Sequence, residues 1–276
     1  MAGTLWLVGT PIGNLGDLSE RTARALADAD VIACEDTRRT RALLSHLGIG
    51  GGARLLSFFE GNERRRLREI LAHLEGNRDV ALVSDAGMPG LSDPGYRLVT
   101  ACVEKGIEVD LVPGPSAAIS ALVLSGLPTA RFSFEGFLPR KAGERRGRLA
   151  EIADDPRTLI LFESPRRVGD LLRDALEILG DRRAAVAREL TKVHQEVVRG
   201  RLSEILQSVG DEVRGEVVVV LEGRRPSEAR DLDELGARVE ALTVEGVPRK
   251  EAAARVAEES GASKRELYEA SLRRRG

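Results

Sequence analysis

Four short segments of this 276-residue chain concentrate the residue types from which ligand sites are built. The first is Gly9-Thr-Pro-Ile-Gly-Asn14. Its glycines let the backbone approach a ligand closely and Pro11 fixes the loop's shape, although the same composition also makes a tight turn. It is neither Gly-x-Gly-x-x-Gly nor a P-loop, since no Gly-Lys-Ser/Thr follows, which argues against a dinucleotide or a nucleoside triphosphate. The second, Glu35-Asp-Thr-Arg-Arg-Thr40, sets two carboxylates directly before two guanidiniums. Either the acids open a helix, where the dipole favours them, or the group faces a cleft. The third, Ser84 to Gly95, packs three glycines, two prolines and two aspartates into twelve residues. A loop this constrained usually builds a binding surface, and Asp85 at its start could accept a ribose hydroxyl or face a cation. The fourth, Val112-Pro-Gly-Pro-Ser-Ala117, leads into a helix whose free N–H groups could meet a ligand carboxylate.

None of these loops holds a nucleophile beside a base. Of the three histidines, His46 and His73 fall in helical patterns as surface residues, and His194 falls in a strand. Cys34 and Cys102 lie far apart in apolar stretches and read as buried free thiols, with neither the number nor the spacing of a metal site. The chemistry expected is therefore one that mostly needs positioning. Methyl transfer from a sulfonium fits, because the carbon is already activated and the protein must align three atoms and assist one deprotonation. Residues that could move that proton are Glu35, Asp36, Glu60, Glu63 and Lys192, with no reason in the sequence to prefer one.

The loops need a scaffold, and the hydrophobic pattern supplies it. Strands are expected at Thr4–Gly9, Val31–Glu35, Arg54–Phe59, Asp79–Ser84 and Ile107–Val112, with helices at Leu18–Ala29, Thr40–Leu47, Asn62–Leu74 and Tyr96–Lys105. Nearly continuous apolar strands alternating with helices indicate a parallel sheet covered on both faces. Each unusual loop then leaves the carboxyl end of a strand, where open α/β sheets bind ligands. The second half reads as helix Ser116–Ser125, strand Arg131–Phe137, helix Arg145–Ala153, strand Thr158–Glu163, helix Val168–Leu179, strands Arg183–Glu189 and Val193–Arg199, and strand Glu216–Leu221. The three-residue gap between the Arg183 and Val193 strands suggests a hairpin and a more antiparallel sheet. After Pro226, helices are expected at Asp231–Leu242 and Arg249–Ser260. Gly261 ends the latter, and Ser263 with Glu266 forms a capping box that opens a third. This helix-turn-helix-like unit is either a cap or a nucleic-acid contact. The expected architecture is α/β, with residues 1–115 a parallel domain, 116–226 a mixed domain and 227–276 a helical tail.

Composition sets the outer limits. Hydrophobic residues at 42% suffice for ordinary cores, and charged residues at 31% are mixed in sign. No apolar run reaches the ~18 residues a bilayer span needs, and the amino-terminal residues lack a signal-peptide pattern, so a cytoplasmic protein without membrane contact is expected. The net charge of −2 excludes a polycation, so any nucleic-acid contact must come from local patches. One such patch is Pro139 to Arg148, with five basic residues against one acid.

Eight segments together resemble one family. They are Gly9-Thr-Pro-Ile-Gly-Asn-Leu-Gly-Asp-Leu-Ser-Glu-Arg21, Glu35-Asp-Thr-Arg38, Val83-Ser-Asp-Ala-Gly87, Ser92-Asp-Pro-Gly-Tyr96, Pro113-Gly-Pro115, Ser125-Gly-Leu-Pro128, Gly136-Phe-Leu-Pro139 and Arg188-Glu-Leu-Thr-Lys192. From about residue 4 to the carboxyl terminus the chain is similar to the RsmI family, bacterial 16S rRNA (cytidine-2′-O)-methyltransferases of the tetrapyrrole methylase-like, class III fold. The resemblance implies two α/β domains with S-adenosyl-L-methionine in the cleft between them, touching Pro11, Ile12, Asp85, Met88, Ser116, Ala117 and Phe162. It also implies a homodimer, and as substrate a cytidine (rRNA position 1402) in the small ribosomal subunit. Arg38, Arg39, Arg140, Lys141, Lys264 and Arg265 are then the expected RNA contacts, joined in the tail by Arg249, Lys250 and Arg273–Arg275. No metal is implied. The chain departs from the family pattern at Phe59 and Gly61, where histidines are common, and at Met88 and Gly90, which replace a Thr and a branched residue. Gln195 stands where an acid is common, leaving Glu196. Two other readings are a tetrapyrrole methyltransferase of the same fold, which would have no use for the tail, and a non-catalytic RNA-binding assembly factor, which would have no use for the loops.

Overall fold

In the computed structural model, residues 2–209, 215–224, 232–260 and 264–273 are described. The chain divides into two compact units, residues 1–153 with 157–222, and residues 154–156 with 223–276. Both sheets belong to the first unit.

The first sheet follows from short, largely apolar strands separated by amphipathic helices. In chain order these are β1 (Leu5–Val8), α1 (Glu20–Asp28), β2 (Val31–Cys34), α2 (Thr37–His46), β3 (Arg54–Ser57), α3 (Glu63–Glu75), β4 (Val80–Val83), α4 (Tyr96–Glu104) and β5 (Val109–Val112). Every pairing is parallel, in the order β3-β2-β4-β1-β5. The fully buried runs of β2 and β4 show why alternation is missing from the sequence: each strand is covered on both faces. β1 lies between β4 and β5, so the loops after all three strands crowd one edge of the sheet.

Residues 113–116 lead into α5 (Ala117–Ser125), whose amino end is capped by the Ser116 side chain. Then follow β6 (Phe132–Phe137), α6 (Ala142–Glu151), β7 (Thr158–Glu163), α7 (Val168–Leu179), β8 (Arg183–Arg188), β9 (Glu196–Arg201), α8 (Leu202–Val209) and β10 (Val217–Leu221). The second sheet runs β6-β7-β10-β8-β9, with only β6 and β7 parallel. β8 and β9 do form the hairpin, but β9 starts at Glu196 instead of Val193, and His194 is exposed in the connecting loop. α8 has no counterpart in the expected pattern, because it begins on the residue after β9 with no turn between them. Its Leu202 and Ile205 are buried at helical spacing.

The second unit holds α9 (Leu232–Val244), α10 (Arg249–Ser260) and α11 (Lys264–Arg273) around buried Val239, Ala252, Ala253, Val256 and Leu267. Gly236 permits close helix contact, since a Cβ there would sit 3.1 Å from the Ala270 backbone. Pro226, Gly261, the capping Ser263, Arg274 and Arg275 lie outside the described residues. No helix among those described is long and apolar enough to cross a membrane.

Candidate active site

The four loops converge at the carboxyl edge of the first sheet. The β1 loop and the β4 loop are tied by a pair of backbone hydrogen bonds: Thr10 N–H donates to Gly87 O (2.9 Å), and Gly87 N–H to Thr10 O (3.1 Å). The β1 and β5 loops touch backbone to backbone. A Cβ on Gly9 would lie 2.6 Å from Gly114 Cα, and a Cβ on Gly114 would lie 2.8 Å from Gly9 Cα. Both positions need glycine for proximity, and no other side chain would leave the floor intact. Met88 closes the third side, its Sδ accepting from Gly114 N–H at 3.3 Å.

Beside these joined loops lies a cavity of about 380 Å³, within the range of small-ligand sites. Six of the seven residues expected at a cofactor line it: Ile12, Asp85, Met88, Ser116, Ala117 and Phe162. The seventh, Pro11, lines an adjoining cavity of about 400 Å³. The second sheet contributes Glu163, Val217 and Val218, which the sequence did not point to, and the loop after β8 adds Leu190. Phe162 is set by edge-on contacts to Phe134 and Phe137, with ring centroids 5.0 and 5.5 Å away.

The polar lining of the cavity is acidic. Asp85 Oδ1 accepts from Asp36 N–H (3.1 Å), and its Oδ2 lies 3.4 Å from Arg39 Nη1. Asp93 and Glu35 are near enough to interact electrostatically, and Glu35 Oε1 is buried with no hydrogen-bond partner. Burial, reinforced by Asp93 and Asp85, pushes the Glu35 carboxyl up to about 7. Burial, with Asp85 adding to it, pushes Asp93 up to about 6. Two carboxyls this close disfavour ionising together, since like charges repel. Asp93 lines the cavity and Glu35 stands behind it.

The other candidate proton carriers are engaged elsewhere. Asp36 caps α2, its Oδ1 accepting from Arg38 N–H at 2.8 Å, and that bond holds its carboxyl below the usual range. Glu63 accepts from Gly95 N–H at 3.3 Å and lies 3.8 Å from Arg97 Nε, which braces the β4 loop. Glu60 is exposed at the turn before α3. Lys192 donates to Glu189 (2.9 Å) and Glu216 (3.1 Å). Burial pulls its ammonium down, but those two bonds outweigh burial and hold it above its ordinary value. At the family-departing positions, Phe59 is half exposed, with Gly61 packed against its ring. Gln195 accepts from Thr191 N–H, and Glu196 pairs with Arg188.

The basic segment at residues 139–148 differs from its expected role. Arg145 is buried against Asp174 at 2.7 Å, Arg146 pairs with Asp174 and Glu177, Arg148 with Glu135 and Glu151, and Lys141 with Glu144. Most of its charge is balanced within the fold; Arg140 and Lys141, just before α6, and Arg148 are its exposed members. Arg38 and Arg39 are exposed at the start of α2, Arg39 lining both cavities. Lys264 and Arg265 open α11 in the second unit, with Lys264 exposed. Arg249 is tied to α11 through Ser271 O at 2.9 Å, a packing role, while Lys250 is exposed. Among the described residues no group of three or more His, Cys, Asp or Glu could hold a metal ion.

Residues 4–206 match the family Tetrapyrrole (Corrin/Porphyrin) Methylases, and residues 230–275 match the RsmI C-terminal HTH domain. The chain is similar to a Mycobacterium tuberculosis protein named ribosomal RNA small subunit methyltransferase I, 48% identical over 99% of this chain and 96% of that protein. A Thermotoga maritima protein of the same name is 50% identical over 80% of this chain and 99% of its own length. Among solved structures, the methyltransferase CobJ superposes with a TM-score of 0.62 at 20% identity, covering 81% of this chain and 95% of that one. At that identity the likeness is one of fold alone.

Proposed function

The chain belongs to the tetrapyrrole methylase family, on its RsmI branch, and on that premise we propose that it methylates the ribose 2′-oxygen of a cytidine in 16S rRNA, using S-adenosylmethionine. The observation that carries this reading is the pairing, in one chain, of a methylase match over residues 4–206 with the RsmI helical domain over residues 230–275. A tetrapyrrole substrate would give the second unit nothing to do.

The residues of the first cavity fit the donor. The Gly9–Gly114 contact holds the β1 and β5 loops together beside the cavity, a closeness that a Cβ on either residue would break. Ser116 starts α5 at the cavity wall, where helix N–H groups favour a carboxylate. Asp85, Asp93 and Glu163 supply acceptors for ribose hydroxyls and an ammonium. Bound there, S-adenosylmethionine supplies an electrophilic methyl group on a sulfonium. The protein's own task is to orient the acceptor and take one proton. We assign that proton to the Glu35–Asp93 pair, whose members titrate near neutrality beside the cavity. The cytoplasm, a small ribosomal subunit as partner, and a homodimer complete the reading that the RsmI relationship suggests.

The test is a matched pair of substrates, one with the target cytidine intact and one with a 2′-deoxy sugar there, assayed with labelled donor. Label should pass to the first and not the second. Equal transfer to both would move the reaction to a base atom.

A further inference from the structure

The second cavity, about 400 Å³, has a build of its own. Pro11, Leu15, Ala42 and Leu43 give it an apolar wall, contributed by the β1 loop on one side and α2 on the other. Lys192 closes one end, its stem packed so tightly on Gly13 that a Cβ there would lie 2.6 Å from Lys192 Cγ. Arg39, about two-thirds exposed, stands at the rim. The two cavities share Ile12, Arg39, Asp85, Ala86 and Glu216, so they meet at Asp85.

We infer that this second cavity seats the acceptor nucleoside, turned out of the RNA chain so that its sugar faces Asp85 and its base lies on the Leu15–Leu43 wall. The inference rests on the methyltransferase reading above and adds where the acceptor sits. In-line transfer requires the acceptor oxygen within roughly 3–3.5 Å of the methyl carbon. The acceptor must therefore occupy space contiguous with the donor's, and the second cavity is contiguous at a residue whose carboxylate both ligands can reach. Its volume falls in the range of small-ligand sites, so it suits one nucleoside and not a stretch of RNA helix. An apolar wall with a cation at the rim matches a base beside its flanking phosphate. Enzymes that do chemistry on a base extrude it into a pocket, and a cytidine extruded here would carry its ribose to Asp85.

The test fills the cavity from either wall. Ala42 is exposed on α2, so Ala42→Trp projects into the cavity without disturbing a packed core. Leu15→Trp does the same from the opposite side, at a residue 45% exposed. The probes are S-adenosylmethionine by calorimetry and purified small ribosomal subunits lacking the methyl group. Either variant should bind the donor within twofold of wild type and bind the particles within about threefold, yet lose at least a hundredfold in kcat. Ala42→Ser should retain turnover within severalfold. Wild-type kcat in a folded tryptophan variant overturns the inference, as does loss of donor binding in step with turnover, because the cavities would then be one site. Wild-type protein that neither binds the donor nor labels the particle fails the methyltransferase reading itself, and the inference with it.

Discussion

At the scale of single residues, the sequence identified the acids but not their division of labour. Glu35 and Asp36 are neighbours with the same chemistry on paper. The backbone turn at the end of β2 sends Asp36 to cap α2 and Glu35 inward to Asp93. Lys192 lines the second cavity, and its two carboxylate partners come from its own loop and from the residue before β10, so its ion pairs could not be read from the sequence. Glu35 carries a measurable consequence. Its carboxyl is ordinarily near 4.5 and is raised to about 7 in the fold, so the folded protein holds a proton that the unfolded chain releases between those values. The stability this contributes is fully present below about pH 4.5 and is lost as pH rises through about 7. Asp93 acts in the same direction, between 3.8 and about 6. Glu35→Gln, which cannot ionise, should therefore lose less thermal stability than wild type between pH 5 and pH 8. Melting curves across that range check this, and parallel curves for the two proteins would remove Glu35 from the buried pair.

At the scale of elements, the legible parts were those where local pattern and tertiary role agree. β2 and β4 are apolar throughout because both faces are covered, and β7 and α7 end at the expected residues. The misplacements fall where one signal overruns another. β9 is a half-exposed edge strand with charged residues in it, so its register is set by β8 and not by its own pattern. α8 follows β9 without a break, and α6 starts three residues early at Ala142. The glycine floor was legible as two loops but not as one contact, because Gly9 and Gly114 are far apart in sequence. That contact is testable at Gly114, where an added Cβ would meet Gly9 Cα and C at 2.8 and 2.9 Å, both backbone atoms with no freedom to move aside. Gly114→Ala should cost about 1–3 kcal/mol as an overpacked substitution and weaken S-adenosylmethionine at least tenfold. Gly143→Ala is the control. It sits in α6 with nothing within 4 Å of its Cβ, so it should stabilise by up to about 1 kcal/mol. Denaturation and calorimetry on both variants decide the matter, and unchanged donor affinity in Gly114→Ala would mean that the floor is not part of the donor site.

At the scale of the whole molecule, the question is how a chain of net charge −2 engages an RNA. Diffuse attraction is unavailable to it, so the contacts must be local and exposed. The structure narrows them. The basic run at residues 139–148 is largely balanced by Asp174, Glu177, Glu135 and Glu151, and Arg249 is committed to holding α10 against α11. Among the described residues, the exposed cations expected at RNA are Arg38, Arg39, Arg140 and Lys141 in the first unit, and Lys250 and Lys264 in the second. The two units have separate hydrophobic cores, so their contributions should separate in experiment. Lys250→Ala and Lys264→Ala lie on exposed helical positions and should leave the second unit folded. They should also leave S-adenosylmethionine affinity unchanged, because no cavity residue lies in that unit. Affinity for the small ribosomal subunit should fall, and its dependence on salt should fall with it. Removing one cation from a phosphate reduces the slope of log affinity against log salt by about 0.7–0.9. The double variant should therefore show a slope smaller by about 1.4–1.8 than wild type, measured by particle binding across a salt series. A slope unchanged in a folded double variant would show that these lysines face solvent and not RNA, and would leave Arg38, Arg39, Arg140 and Lys141 as the cations that hold the substrate.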